Sequence, residues 1–418
     1  MSKDNVNEVP AVHLDRSDSR VEHAVGIVSW LKRFLNQIRS GDVGSLPVIV
    51  GLIIIWTVFS ILNPIFLSSN NLVNLLYDSS TIGVIALGIV CVLMLGEIDL
   101  SVGSMSGVGS AMIGVLWVNY DLPLALAIIS AMVAGALVGF VYAILRTRLG
   151  MPSFVSTLAG LLALLGFQLY ILGTSGSINL PYGSLMVDFG QLMIIPKWPA
   201  HTVMLLPGIL LLVFGVRTQQ RRKQNNLSSS SLGGLLLRAV GLTIALQAVT
   251  FYLYLGRGLP WMFGLFVCLV LAMNYAFTRT KWGRSMRAVG GNAEAARRAG
   301  IKVHHIYISA FVACSMFAVL GGILSAARLA SASTQAGTGD VNLNAIAAAV
   351  IGGTSLFGGR GSAYSALLGI IVIASISNGL TLLNMSSSLR YMITGAVLAI
   401  AVIADSLARK SRLSHGRA

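Results

Sequence analysis

Long apolar runs dominate this chain and leave few folds open to it. They cover residues 46–66, 72–95, 101–119, 123–145, 153–172, 202–216, 234–255, 260–277, 306–326, 341–357, 363–382 and 388–406. A helix crossing the hydrocarbon core of a bilayer needs about 20 such residues. In lipid every backbone N–H and C=O must be satisfied within the protein, and runs of this length do that as helices. The expected class is therefore all-α: a polytopic helical membrane protein of about 12 spans. The runs 202–216, which is short, and 341–357, which is rich in small residues, are the least span-like. Only 10% of the 418 residues are charged, against about 25% in a soluble domain, which is too little to cover a water-facing surface. A net charge of +15 would suggest nucleic acid in a soluble protein. Here the basic residues lie between apolar runs, so membrane lipid is the expected neighbour and nucleic acid is not.

An even number of spans puts both termini on one side. With the N-terminus in the cytoplasm, 25 of the 29 Lys and Arg residues fall inside, and only Lys197, Arg257, Arg328 and Arg390 fall outside. The positive-inside rule thus favours cytoplasmic N- and C-termini. The expected organisation is a cytoplasmic tail at 1–45, a transmembrane domain at 46–406 and a basic cytoplasmic tail at 407–418. Residues 25–38 fit either an interfacial helix, with Trp30 and Phe34 in lipid, or an unstructured tail. No cleavable signal is expected, because residues 1–24 are polar and charged. The polar, turn-rich stretch 218–231 reads as a cytoplasmic linker, and 173–200 as the longest external loop. Gly103/Gly107 and Gly135/Gly139 have the spacing that lets membrane helices approach closely.

Several chemistries are missing. No lysine follows a glycine, so there is no phosphate-binding loop. There is no Gly-x-Ser-x-Gly elbow. No histidine stands with a carboxylate or cysteine at ligand spacing, so no metal site is expected. Cys91, Cys268 and Cys314 lie in apolar runs and read as packing residues. The 14 acids sit mostly in tails and loops, and only Glu97 and Asp99 stand close together at membrane depth or its edge. Ion-driven carriers usually keep ionisable groups in the membrane. An external motor is therefore the better reading, with an ion-coupled secondary carrier as the alternative.

Three segments carry most of the information. In GEIDLSVGS, Gly96–Ser104, two acids sit between glycines that permit a backbone break. It is either a polar element near a translocation path, with Glu97, Asp99 and Ser101, or a cytoplasmic turn in which Asp99 caps the next helix. In the loop 279–305, Asn292 is a good N-cap, Glu294 suits the positive end of a helix dipole, Arg297 and Arg298 suit the negative end, and Gly300 fits the position after the helix. That predicts a short capped cytoplasmic helix whose Ala293, Ala296 and Ala299 form a smooth face for a partner's groove, or alternatively a membrane-surface helix. In GGTSLFGGRGS, Gly352–Ser362, the pattern Gly-xxx-Leu-xx-Gly of the first segment recurs, as a repeat remnant or by chance. Asn71, Asn74, Gln168, Asn274, Asn378 and Asn384 are candidate path-lining groups or helix-to-helix hydrogen bonders.

In this order, these segments resemble the permease subunits of bacterial ABC importers for pentoses and related sugars. The resemblance covers roughly 50–410. Within it, Glu294-Ala295-Ala296 with Gly300 matches the first half of the loop by which ABC permeases contact their ATPase; the later Leu-Pro part is missing. An extra stretch near 175–260 stands apart from the resemblance; the insertion supplying spans near 202–255 and Glu97 look most like the xylose permeases. The resemblance implies a homodimer with a path at its centre, importing xylose or another pentose. It also implies a cytoplasmic sugar ATPase docked below, an extracytoplasmic sugar-binding protein above, and an inner-membrane location. Gly291, Asn292, Glu294, Ala295, Ala296, Arg298 and Gly300 would couple to the ATPase, and Glu97, Asp99, Ser101 and Asn378 would lie along the path. The chain would hold no cofactor and catalyse no reaction, since ATP and magnesium belong to the partner.

Overall fold

A computed structural model describes residues 46–225 and 232–414. The expected tail at 1–45, with its segment 25–38, lies outside the described residues. Each of the twelve apolar runs falls on a helix, and the chain is a polytopic helical protein. Among the described residues, nine helices are long and apolar enough to cross a membrane. The chain divides into two compact units, 195–225 and 232–258 being the described parts of the smaller.

The smaller unit is a hairpin of two helices, separated in the numbering below from the rest of the bundle. Its first helix, Lys197–Gln224, and its second, Leu232–Leu253, meet where Gly208 packs on Ala239 and Thr243. His201 and Gln247 clamp the pair. Their side chains meet at 2.6 Å, and Gln247 Nε2 donates to the His201 carbonyl at 2.8 Å. The outward residues Val203, Leu206, Phe214, Leu237, Ile244 and Phe251 are exposed, which suits lipid. The polar stretch after residue 217, expected as linker, is helical as far as Gln224. Gln, Arg and Lys are good helix formers, and the basic residues sit at the negative end of the dipole.

In the larger unit the helices, in chain order and leaving the hairpin unnumbered, are α1 (Leu46–Leu62), α2 (Ser69–Leu93), α3 (Val102–Ile113), α4 (Leu124–Thr147), α5 (Ser153–Leu172), α6 (Leu185–Gln191), α7 (Trp261–Arg279), α8 (Lys281–Gly291), α9 (Ala293–Arg298), α10 (Val303–Leu329), α11 (Val341–Ile351), α12 (Ala363–Leu382) and α13 (Ser387–Ser414). A π-helical turn, Gly114–Asn119, prolongs α3. Helices α2, α3 and α10 are buried for most of their length, whereas α4, α5 and α7 turn most of their surface outward. Packing rather than the hydrophobic effect joins helices in lipid, and small residues let backbones close up. An added Cβ at Gly139 would lie 2.4 Å from the Phe311 carbonyl oxygen, and one at Gly322 would lie 1.8 Å from that of Ser106. Gly135 and Gly139 thus seat α4 on α10. The run 173–200 is not one open loop: it holds β1 (Ser177–Asn179), which pairs antiparallel with β2 (Ser331–Ser333), and also α6 and the start of the hairpin.

Two stretches break the helical pattern inside the bundle. Leu95–Ser101, between α2 and α3, is not helical. After β2, residues 334–340 lie against α3, held by Gln168 Nε2, which donates to the carbonyls of Ser333 and Ala336 at 2.9 Å each. A Cβ at Gly337 would come within 2.0 Å of the Gly103 carbonyl oxygen. Helix α11 then begins at depth. Its 11 residues extend only about 16 Å, roughly half of a hydrocarbon core of about 30 Å.

The connections sort into two sets. In one, Arg146 meets Glu97, the Ile98 N–H meets Ser153, and the Gly359 N–H meets the Met94 carbonyl. In the other, 177–180 pairs with 330–333, and the Trp261 N–H meets the Met193 carbonyl. The first set carries the basic loop 279–305.

Candidate functional site

The segment Gly96–Ser101 takes its shape from side chains on neighbouring helices. Gly96 adopts φ +75°, a left-handed turn that ends α2. Beyond it the Ile98 N–H donates to Ser153 Oγ at 3.4 Å, and the Leu100 N–H donates to Thr157 Oγ1 at 3.1 Å. Asn342, at the start of α11, donates to the Leu100 carbonyl and accepts from the Gly103 N–H at 3.2 Å. Irregular backbone survives at depth because three side chains supply the partners that a helix would have given. Asp99 is 1% exposed. Its Oδ1 accepts from the Ser101 N–H at 2.8 Å and the Ser101 hydroxyl at 2.6 Å. This is the local turn geometry that short acids favour. Asp99 and Ser101 face neither of the two cavities described below. Asp99→Asn keeps Oδ1 as an acceptor and removes a buried charge. It is expected to transport within about threefold of wild type, whereas Asp99→Ala, which leaves the turn unheld, is expected to lose about tenfold; uptake by the two variants in one membrane preparation checks this.

Glu97 points the other way. Its Oε1 lies 2.6 Å from Arg146 Nε, and the Arg146 guanidinium lies 5.6 Å from the Tyr307 ring centroid. The pair therefore ties the broken segment to α4 and α10, beside a shallow cleft of about 290 Å³ that Gly96, Ser153 and Pro152 help to line.

The basic loop forms α8 and α9. On α8 the buried residues are Gly283, Met286 and Val289, a one-face stripe at helical spacing. Trp282 Nε1 donates to Ser309 Oγ on α10 at 2.7 Å, and its ring stacks on Phe277 at 5.6 Å. Asn292 Oδ1 caps α9 by accepting from the Ala295 N–H at 2.9 Å. Gly300 adopts φ +82° just past the helix. Glu294 pairs with Arg297 at 2.7 Å and Arg298 at 3.3 Å, all three exposed. One expectation is corrected here. Ala296 is only 5% exposed, so of the three alanines it turns inward, while Ala293 is half-buried and Ala299 exposed. The six-residue helix buries Ala296 alone, and the outward surface is Glu294, Ala295, Arg297 and Arg298, continued by Ala299 just past its end.

The three informative segments meet at one point. The Gly359 N–H donates to the Met94 carbonyl at 2.9 Å. A Cβ at Gly290 would lie 1.8 Å from that carbonyl oxygen and 2.6 Å from the Gly359 nitrogen; one at Gly358 would lie 2.7 Å from the Gly290 oxygen and 2.9 Å from the Gly96 nitrogen. The end of α8, the end of α2 and the loop after α11 thus touch backbone to backbone, an approach that side chains would prevent.

A second cavity, of about 190 Å³, lies between α2, α11 and α12, walled by Leu75, Ile82, Ile370 and Ile373. Asn378 lines it, with Asp78, Asp340 and Asn344. Asn378 and Asn71 exchange amide hydrogen bonds at 2.8 and 3.0 Å, so Asn378 joins two helices as well as lining this cavity. Asp78 and Asp340 escaped the reading of the sequence. Asp78 is the tenth residue of α2, about 14 Å from its start, and pairs with Arg328 at 2.9 Å. An acid inside an apolar run was the available signal.

Comparison with known proteins agrees with this arrangement. Residues 71–402 match the family described as branched-chain amino acid transport system / permease component. The chain is 35% identical over 354 residues to the xylose transport system permease protein XylH of Escherichia coli (strain K12), covering 82% of this chain and 87% of that one. It is 32% identical over 382 residues to the XylH protein of Haemophilus influenzae, covering 90% and 99%, and 29% identical over 358 residues to the ribose import permease protein RbsC of E. coli K12, covering 86% and 92%. No solved structure matches. With about four-fifths of its length inside the family match, the chain belongs to the branched-chain amino acid transport system / permease component family.

Proposed function

We propose that this chain is the membrane-spanning permease subunit of an ABC importer in the inner membrane, and that its cargo is a monosaccharide, xylose or another pentose. The observation that carries this reading is the meeting of the basic α8–α9 arm with both irregular segments at Gly290, Gly96 and Gly358. It gives a docked motor a mechanical hold on the helices around the cavity. The sugar cargo rests on the xylose and ribose permeases that the chain resembles. Twelve spans with both termini in the cytoplasm put the basic loops on the inner side, in keeping with the positive-inside rule. Two copies of the chain would enclose the path, with an extracytoplasmic sugar-binding protein above.

In this reading a cytoplasmic ATPase docks on α8 and α9. Glu294 and Arg298 are exposed and pair only weakly with each other, as surface ions do, so both can turn to a partner. Gly291, Asn292, Ala295 and Gly300 set the shape of the arm, and Ala296 anchors it from beneath. Glu97, Asp99 and Ser101 hold the broken segment beside the path, and Asn378 lines the path itself. Reversing the two charges, Glu294→Arg with Arg298→Glu, is expected to reduce co-purification of the ATPase about tenfold or more. Undiminished binding together with full uptake sinks the docking assignment. Uptake of labelled xylose, ribose and leucine by the reconstituted importer tests the cargo, and uptake of leucine alone would refute a sugar.

A further inference from the structure

We infer that the cavity between α2, α11 and α12 is a transit site for one neutral monosaccharide ring, whose hydroxyls are read by Asp78, Asp340, Asn344, Ser377, Asn378 and Thr381. This rests on the sugar-importer reading and gives it a location. Three observations carry it.

Polarity at depth comes first. Acids and amides within spanning segments are expensive and are kept where they serve a path. All six side chains line one cavity, on three helices and the lead-in to one of them. An unmet hydrogen bond comes second. Asn344 is 4% exposed; its Nδ2 donates to Asp340 Oδ2 at 3.0 Å, while its Oδ1 has no partner among the described residues. A buried acceptor left unsatisfied is costly, and a hydroxyl donor that met it on rotation of the amide towards the cavity would relieve it.

Chemical match comes third. Carboxylates accept from hydroxyls, while amides and hydroxyls both give and take, which is the complement of a ring of vicinal hydroxyls. The walls of Ile82, Ile370 and Ile373 would cover its C–H faces. A volume of about 190 Å³ lies below the roughly 300–1,000 Å³ of sites for larger ligands, which suits one ring. The lining also argues against other cargo. No cationic side chain lines the cavity, and Arg328 is held by Asp78 and Asn74, so an amino-acid carboxylate would find no cation in the lining. Among the described residues no group of three or more His, Cys, Asp or Glu could hold a metal ion. Weak binding is what a path requires, since cargo must also leave.

The test uses the full importer, with ATPase and binding protein, in proteoliposomes. Uptake of labelled xylose and glucose is measured beside ATP hydrolysis. Asn344→Leu is expected to lower xylose uptake roughly tenfold while hydrolysis stimulated by the binding protein stays near wild type. Ala374→Leu narrows the cavity and is expected to lower glucose uptake about threefold more than xylose uptake. Asp340→Asn guards against a misfolded Asn344 variant: it keeps the shape, weakens the acceptor and is expected to fall between the other two. A lesion that lowers uptake and hydrolysis together with an unchanged sugar ratio in every variant overturns the site, as does wild-type flux and ratio throughout. A wild-type importer that moves no sugar refutes the cargo reading instead, so the two failures are told apart.

Discussion

Gly290→Ala is expected to cut sugar uptake roughly tenfold or more while leaving the ATPase bound. The added methyl carbon would sit 1.8 Å from the Met94 carbonyl oxygen and 2.6 Å from the Gly359 nitrogen. Both are backbone atoms, so no side chain can swing away, and α8 must move instead. Overpacking of this kind costs about 1–3 kcal/mol, which corresponds to roughly a tenfold change for every 1.4 kcal/mol. The loss falls on the junction that links α8 to the two irregular segments, not on the exposed face of α9 that is proposed to meet the motor. Binding and transport should therefore separate: the ATPase co-purifies, ATP is hydrolysed, and little sugar moves. Gly166→Ala is the control. Nothing lies within 4 Å of its added carbon, and replacing a helix-interior glycine is neutral or mildly stabilising where space allows. Equal uptake by the two variants would show that force does not pass through Gly290.

The same junction explains what could be read from the sequence and what could not. Helix positions were legible because apolarity at 20-residue length has one physical solution in lipid. The capped helix after Asn292 was legible because caps are local: Asn292, Glu294 and Gly300 each act within a turn or two of their own position. The inward turn of Ala296 was not, because which side of a short helix faces its own chain depends on α8 and α10, fixed by contacts far away in sequence. Gly96, Gly290 and Gly358 stood out singly as breaks, yet their shared purpose lies in a meeting of residues 194 and 68 positions apart. GEIDLSVGS and GGTSLFGGRGS also touch each other. Both segments put a positive-φ glycine, Gly96 and Gly358, against the other's backbone, but the two fall at different places in the shared pattern, so the contact does not account for the likeness. Asp78 was missed for a different reason. A carboxylate one-third of the way along an apolar run is invisible to a count of span-averaged hydropathy, and Arg328, its partner, sits 250 residues away.

Arg146→Met is expected to be more damaging than Glu97→Gln, and the double variant less damaging than Arg146→Met alone. The asymmetry follows from burial. The Glu97 side chain is 9% exposed and the Arg146 side chain 35%. Removing Arg146 leaves a nearly buried carboxylate without its cation, and an uncompensated charge of that kind destabilises by about 1–3 kcal/mol after allowance for the partly exposed partner. Removing the charge of Glu97 leaves an arginine that can extend towards water along its apolar stem. In the double variant neither charge remains to be satisfied, so part of the loss returns. A double-mutant cycle on thermal stability in detergent should give a coupling of about 1–2 kcal/mol, with sugar uptake following the same order. If the two effects simply add, the pair is no clasp, and Ser153, Thr157 and Asn342 hold the broken segment unaided. If they couple in stability while uptake is unchanged in all three variants, the clasp is a fold contact with no part in transport. Coupling in both is the result expected of a segment that must stay docked against α4 and α10 while α8 moves beneath it.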